Sequence, residues 1–225
     1  MIYFDNVTKV YADHAALSDV TFGIESGEFL SIVGHSGAGK TTLLRLLLAE
    51  DRPTSGAIFF ESTNIHRIRS SHVPEYRRKI GTVFQDFRLL PNKTAYENIA
   101  FAMEAGGRTD EEIRSDVPQV LELVDLASKA LHFPGELSGG EKQRVAIARA
   151  IISQPDVLIA DEPTGNLDPV NTYDIIQILK KIHDMGTTVI LTTHNKGVID
   201  SLKRRVITME NGKVIRDDLH GKYIL

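Results

Sequence analysis

The octapeptide Gly34-His35-Ser36-Gly37-Ala38-Gly39-Lys40-Thr41 constrains this chain more than any other stretch. A glycine, four residues and then Gly-Lys-Thr is the spacing that builds a nest of backbone N–H groups for nucleotide phosphates. The motif works only between a strand and a helix. Residues 28–33 are apolar and partly β-branched, and residues 41–48 carry a helical load of leucines, so both flanks are present. Glycines let the loop turn its N–H groups inward, and the helix N-terminus adds partial positive charge. Lys40 then reaches the outer phosphates, and Thr41 is placed to hold magnesium. A glycine-rich turn with a chance lysine is the plain alternative, and the flanks argue against it.

With 225 residues, 42% apolar and 25% charged, the chain can bury one core, or a core with an inserted subdomain. A net charge of −4 gives no general attraction to nucleic acid, so no nucleic-acid partner is expected. The basic clusters Arg77-Arg78-Lys79 and Lys203-Arg204-Arg205 read as solvated faces. The sequence holds no cysteine, which excludes a disulfide framework and a thiolate metal site. It also has no long apolar run and no basic-then-apolar start, so any membrane role is expected to come through a partner.

Residues 2–10 and 20–25 read as strands separated by a polar turn near Asp13-His14, an antiparallel flank to a mainly parallel sheet. A turn at residues 53–56 leads to a strand at 57–60, and 80–84 is a further strand. From Phe87 to Leu137 the pattern turns helical, with a capping box at Thr109-Asp110-Glu111-Glu112 and a helix break or start expected at Pro118. Residues 157–160 form a fully apolar strand, and Ile175, Ile176, Ile178, Leu179 and Ile182 form the apolar face of a helix before a strand at 188–191. Residues 206–209, Asn211-Gly212 and residues 213–216 read as a closing hairpin. The fold class expected is α/β, with residues 1–86 and 153–225 forming the core and its β flank. Residues 87–152 are expected to be the inserted helical subdomain.

The strand at 157–160 ends in two carboxylates, Asp161 and Glu162. In phosphate-loop enzymes an acid at that strand end holds magnesium, which assigns Asp161. Glu162, one residue on, can act as general base on the attacking water. The alternative is a pair of N-cap residues after a core strand. A second constellation, Leu137-Ser138-Gly139-Gly140-Glu141, opens a helical run over 142–152. Ser138 and Glu141 have capping-box spacing, yet adjacent glycines at a cap suit a backbone that something approaches closely. An open helix N-terminus beside Ser138 makes a second anion site.

Together these residues resemble the ATP-binding subunits of ABC ATPases, over almost the whole chain. The resemblance implies a phosphate-loop ABC ATPase fold that binds ATP and Mg2+ and hydrolyses ATP. It implies that residues 34–42, with Thr42 included, cradle the phosphates. It also makes Ser138, Gly139, Gly140 and Glu141 the signature that touches the γ-phosphate of the opposite subunit. Two ATP molecules would then be sandwiched in an ATP-dependent, head-to-tail homodimer. Other elements match singly: Tyr11 as the aromatic that stacks on adenine, Gln85 as the glutamine that senses magnesium and water, and Asn166-Leu167-Asp168 as the loop at the dimer seam. His194 matches the switch histidine. Position 141 is Glu where the family most often has Gln, and Asn195 stands where an acid commonly follows the histidine.

Within the family, Arg52-Pro53, Val73-Pro74, Arg77 to Gly81, Phe84-Gln85-Asp86, Leu89-Leu90 and Asp161 to Asp168 look like the bacterial cell-division branch. That branch implies the polytopic membrane protein FtsX as partner, regulation of cell-wall hydrolysis, and a location peripheral to the inner face of the cytoplasmic membrane. Phe84, Phe87, Leu89 and Leu90 lie where the family docks the partner's coupling helix, with about half of them expected in the core. Competing readings are a lipoprotein-release or macrolide-export ATPase, a soluble ABC ATPase acting on nucleic acid or ribosomes, a phosphate-loop kinase, or a silent ATP binder. The signature segment argues against the kinase, and Glu162 argues against the silent binder.

Overall fold

Apolar runs that are buried on both faces define the strands around the phosphate loop. In the computed structural model, which describes residues 1–219 and 221, the chain divides into two units, residues 1–77 with 188 onward, and residues 78–187. In the first unit β1 (Ile2–Tyr11) and β2 (His14–Ile24) pair antiparallel, Ile2 opposite Ile24 and Tyr11 opposite His14. Ala12 and Asp13 make the turn, and Phe4 stacks on Phe22 with ring centroids 4.6 Å apart. β2 begins six residues before the strand expected at residue 20. Residues 14–19 lack β-branched side chains, but pairing with β1 and the complete burial of Leu17 hold them extended.

β3 (Phe29–Val33), apolar apart from Ser31, is buried at every position, as a strand covered on both sides requires. It delivers the chain into the phosphate loop and then α1 (Lys40–Leu47), which buries Leu43, Leu44, Leu46 and Leu47. β4 (Ser55–Phe60) adds to β1, and the short β5 (Thr63–Asn64) adds to β4, completing a four-stranded antiparallel flank. α2 (Val73–Arg78) follows, and within it the Tyr76 hydroxyl donates to Leu47 O at 2.5 Å.

In the second unit β6 (Ile80–Val83) pairs parallel with β7 (Val157–Asp161). Between them lie α3 (Ala95–Ala105), α4 (Asp110–Leu123) and α5 (Gly139–Ile151); α6 (Pro169–Asp184) follows β7. The capping box at Thr109 and Glu112 forms as read, and α3 carries another at Thr94 and Glu97. Pro118 neither breaks nor begins a helix; it sits inside α4. Ile113, Val117 and Leu121 make a buried stripe through that helix, and their packing outweighs the missing N–H. α6 buries the five apolar residues that its period predicts.

The first unit closes with β8 (Thr188–Thr192), α7 (Lys196–Leu202), β9 (Arg205–Glu210) and β10 (Lys213–Asp218). β8 and β9 flank β3 in parallel, and β10 returns antiparallel to β9. Asn211 and Gly212 both take positive φ, 47° and 75°, as a tight two-residue hairpin requires. Arg205 is not the solvated residue its basic cluster suggests. Its guanidinium donates to Glu28 Oε1 at 2.9 Å, Gly23 O at 2.9 Å and Asp217 Oδ2 at 2.6 Å. Asp217 first, and Glu28 after it, raise its pKa against the opposing effect of burial.

Candidate nucleotide site

The residues expected to bind nucleotide fall into two sets, one in each unit. In the first, Gly34 to Thr41 leave β3 and enter α1 as the motif demands, with Gly39 at the N-cap of α1. Gly39 has φ 102°, and a Cβ there would lie 2.6 Å from Ala16 O and 2.8 Å from Leu17 Cδ2. Only glycine meets both the backbone angle and the space. Lys40 is 8% exposed, and its ammonium donates to Gly34 O at 2.7 Å and His35 O at 3.2 Å, folding the charge over the loop. His35, Ser36, Gly37 and Thr41 are exposed, Ala38 is buried and Thr42 is half-buried. This cradle fits triphosphate: it offers a helix N-terminus, an ammonium and an accessible hydroxyl.

Two expected residues flank the loop within the same unit. β8 runs beside β3 with Thr192 opposite Ile32, and Thr193 N donates to Ile32 O at 3.3 Å. His194 therefore emerges where β3 hands over to Gly34, exposed at the carboxyl edge where open α/β sheets bind ligands. Asn195, the departure from an acid, caps α7 by accepting from Val198 N at 3.3 Å. Tyr11 ends β1 with 39% of its surface exposed. Its hydroxyl donates to Asp51 Oδ2 at 2.6 Å. Lys9 Nζ lies 4.7 Å from the Tyr11 ring centroid and donates to Asp51 Oδ1 at 2.7 Å. Burial first, and the Asp51 carboxylate second, raise the Tyr11 pKa. Hydrogen bonds from Lys9 and then Tyr11 lower that of Asp51 to about 2. Neither Lys9 nor Asp51 carries a sequence signal for a site.

In the second unit Val83 pairs with Ala160, so Gln85 and the Asp161-Glu162 pair leave β6 and β7 at the same edge. Glu162 occupies the left-handed region at φ 49°. That conformation costs a non-glycine residue about 1–2 kcal/mol, so the turn after β7 holds it against its own preference. The helix cap downstream is Asp168, not Asp161 or Glu162, which disposes of the paired N-cap alternative. Asp161, Gln85 and Glu162 offer hard oxygen donors of the kind magnesium takes.

Ser138 and Glu141 do form a capping box at the start of α5. Glu141 N donates to Ser138 Oγ at 3.2 Å, and Ser138 N donates to Glu141 Oε2 at 2.7 Å. That backbone N–H is the main cause that lowers the Glu141 pKa. Gly139 is exposed, whereas Gly140 is buried against Asn171, in the first turn of α6. A Cβ on Gly139 would come 3.4 Å from Leu167. The signature turn and the loop at 166–168 are thus neighbours in one chain. Asp168 accepts from Val170 N and Asn171 N, each at 2.9 Å, and Gln85 Nε2 donates to Asn166 Oδ1 at 3.4 Å.

Phe84, Phe87, Leu89 and Leu90 are all half-buried, so none belongs wholly to the core and none is fully exposed. The Arg88 guanidinium stacks 3.7 Å over Phe84. Arg149 of α5 donates to Phe87 O at 3.0 Å and Arg88 O at 2.7 Å, holding two consecutive left-handed residues. Sequence reasoning missed Arg149, because only the fold brings α5 to that loop.

Residues 17–165 match the family described as ABC transporter. The chain is 49% identical over 225 residues to the cell division ATP-binding protein FtsE of Mycobacterium tuberculosis, covering 99% of this chain and 98% of that protein. It is 46% identical over 224 residues to the FtsE of Bacillus subtilis, covering 99% and 98%. The solved ATP-binding cassette MJ0796, a dimer in a post-hydrolysis state with ADP and Pi, superposes with a TM-score of 0.88. That match has 36% identity and covers 99% of this chain and 100% of that one.

Proposed function

The chain belongs to the ABC transporter family as one of its ATP-hydrolysing subunits, and from this premise we propose that it is the cell-division ATPase that works on FtsX. The observation that carries the proposal is the full-length similarity to the FtsE proteins, at up to 49% identity. The solved dimer of a similar cassette supports a dimer, and on this reading two copies meet head to tail with an ATP at each seam. On this reading Lys40 and the N–H groups of residues 34–42 hold the phosphates of one ATP, and Tyr11 stacks on its adenine. Ser138, Gly139, Gly140 and Glu141 of the second copy close the site, with Asp168 at the seam. Thr41, Gln85 and Asp161 would hold magnesium, which screens the phosphate charge when bound. Glu162 takes the proton of the attacking water, and His194 contacts the γ-phosphate. Residues 87–152 act as the helical subdomain that carries the signature.

No helix among the described residues is long and apolar enough to cross a membrane. On this reading the partner, docked at Phe84, Phe87, Leu89 and Leu90, would hold the chain at the inner face of the cytoplasmic membrane. Closing and opening of the dimer would then pull on FtsX and regulate cell-wall hydrolysis beyond the membrane. The test uses Glu162→Gln with saturating Mg-ATP, alone and co-expressed with FtsX. The variant is expected to elute as a dimer, to hydrolyse ATP at least 100-fold more slowly, within the range for a general base, and to co-purify with FtsX. A monomer under those conditions removes the sandwich, and failure to co-purify removes the partner.

A further inference from the structure

We propose that Asp51 and Lys9 are positioning residues for nucleotide binding, locking Tyr11 in place as a stacking platform for the base before nucleotide arrives. The proposal rests on the reading above that Tyr11 meets adenine.

Tyr11 is the last residue of a strand, so little around it would fix an aromatic side chain that is 39% exposed. Two contacts fix it nonetheless. Its hydroxyl donates to Asp51 Oδ2 at 2.6 Å, and the Lys9 ammonium covers the ring at 4.7 Å from the centroid. Asp51 itself is held on several sides. Lys9 Nζ donates to Oδ1 at 2.7 Å and to Arg52 O at 2.8 Å, while Arg52 N donates to Oδ1 at 2.7 Å. The lysine is nearly enclosed, with 12% of its side chain exposed, against 23% for Asp51.

The chemistry of the cluster is one-sided. A cation lies against one ring face, so a planar base is left the other. Stacking onto an aromatic ring gains little if the ring must first be immobilised, and a ring gripped at its tip and one face has lost that freedom in advance. Tyr11 and the phosphate loop lie in the same unit, so base and phosphates are met by one compact body. Asp51 touches neither the base nor the phosphates in this account.

Two ligands separate this role from general support of the loop: Mg-ATP, and magnesium tripolyphosphate, which keeps the phosphates and lacks the base. Affinities are measured by calorimetry on the purified full chain. Tyr11→Ala is expected to weaken Mg-ATP by about ten-fold or more, the range of a base–aromatic stack, and to leave tripolyphosphate unchanged. Tyr11→Phe keeps the ring, Asp51 and its turn, and removes only the hydroxyl. It and Asp51→Ala are each expected to weaken Mg-ATP by about three- to ten-fold, the entropy of one freed side chain. Neither should alter tripolyphosphate binding, and the double variant should be no worse than either single one. If Tyr11→Ala leaves ATP affinity intact, the stacking reading itself fails. If Tyr11→Ala weakens ATP but Tyr11→Phe and Asp51→Ala do not, the positioning role is overturned while stacking stands. Equal losses for both ligands in Asp51→Ala would also overturn it, reducing Asp51 to a support of the phosphate loop.

Discussion

Adding one methyl group at Gly140 drives it into Asn171. The new Cβ would lie 1.9 Å from Asn171 Oδ1, 2.5 Å from Cγ and 3.1 Å from Cβ, where carbon contacts are comfortable near 3.5–4.0 Å. Asn171 must rotate away, and in doing so it gives up the bond from its Nδ2 to Asp168 Oδ2, 2.5 Å long in the native fold. That bond reaches an ionised carboxylate but is exposed and screened by solvent, so its loss adds only a small cost. Overpacking adds about 1–3 kcal/mol, offset by up to ~1 kcal/mol of helix propensity that alanine gains over glycine. The expected net destabilisation of Gly140→Ala is about 1–3 kcal/mol, or roughly 3–10 °C in melting temperature for a chain of this size.

Calorimetric melting of Gly140→Ala, Asn171→Ala and the double variant tests the contact itself. In the double variant the two worst clashes vanish and only the 3.1 Å approach to Cβ remains. It should therefore recover most of the loss, with a coupling of about 1 kcal/mol or more. A Gly140→Ala protein that melts with the native one, or a double variant as unstable as the two losses added, would refute the reasoning.

Arg205→Ala should cost about 2–3 kcal/mol in denaturant unfolding, because it strands Glu28 and Asp217 after removing a largely enclosed guanidinium. Arg205→Lys should recover little of that, since an ammonium cannot reproduce the two parallel bonds to Asp217. His66 is held neutral in the fold, with its pKa lowered chiefly by burial and then by the charge of Arg52, against an opposing pull from Asp51. The unfolded chain binds a proton there near pH 6.5. The unfolded state then carries more protons, so the stability that neutral His66 contributes is present above about pH 6.5 and declines as pH falls below it. His66→Gln should flatten that part of the stability profile between pH 7 and 5, measured by urea titration. An unchanged slope would assign it to another group.

What was legible in the sequence was local. The phosphate loop, the capping boxes at Thr109 and Ser138, and the Asn211-Gly212 hairpin are each specified within a few residues. The carboxylates ending β7 were equally plain, because an apolar strand of fixed period points to its own end. Pro118 misled because helix propensity is a weak prior, and the buried stripe of α4 overrode it. β2 was read short for the same reason in reverse, since partner strands rather than side-chain type hold its first half. The short helices α2 and α7 left no periodic pattern long enough to read.

The sequence by itself determined that residues 34–41 would form a strand-to-helix loop shaped to cradle phosphate, because a nest of N–H groups needs only glycines at set positions, a lysine and a helix start. Tertiary structure alone decided that Asp51 would grip Tyr11, that Arg149 would hold the carbonyls of Phe87 and Arg88, and that Gly140 would press on Asn171. Those partners lie far apart along the chain. Spacing rules carry information only over the reach of a turn or a helix face, and beyond that reach packing chooses which residues touch.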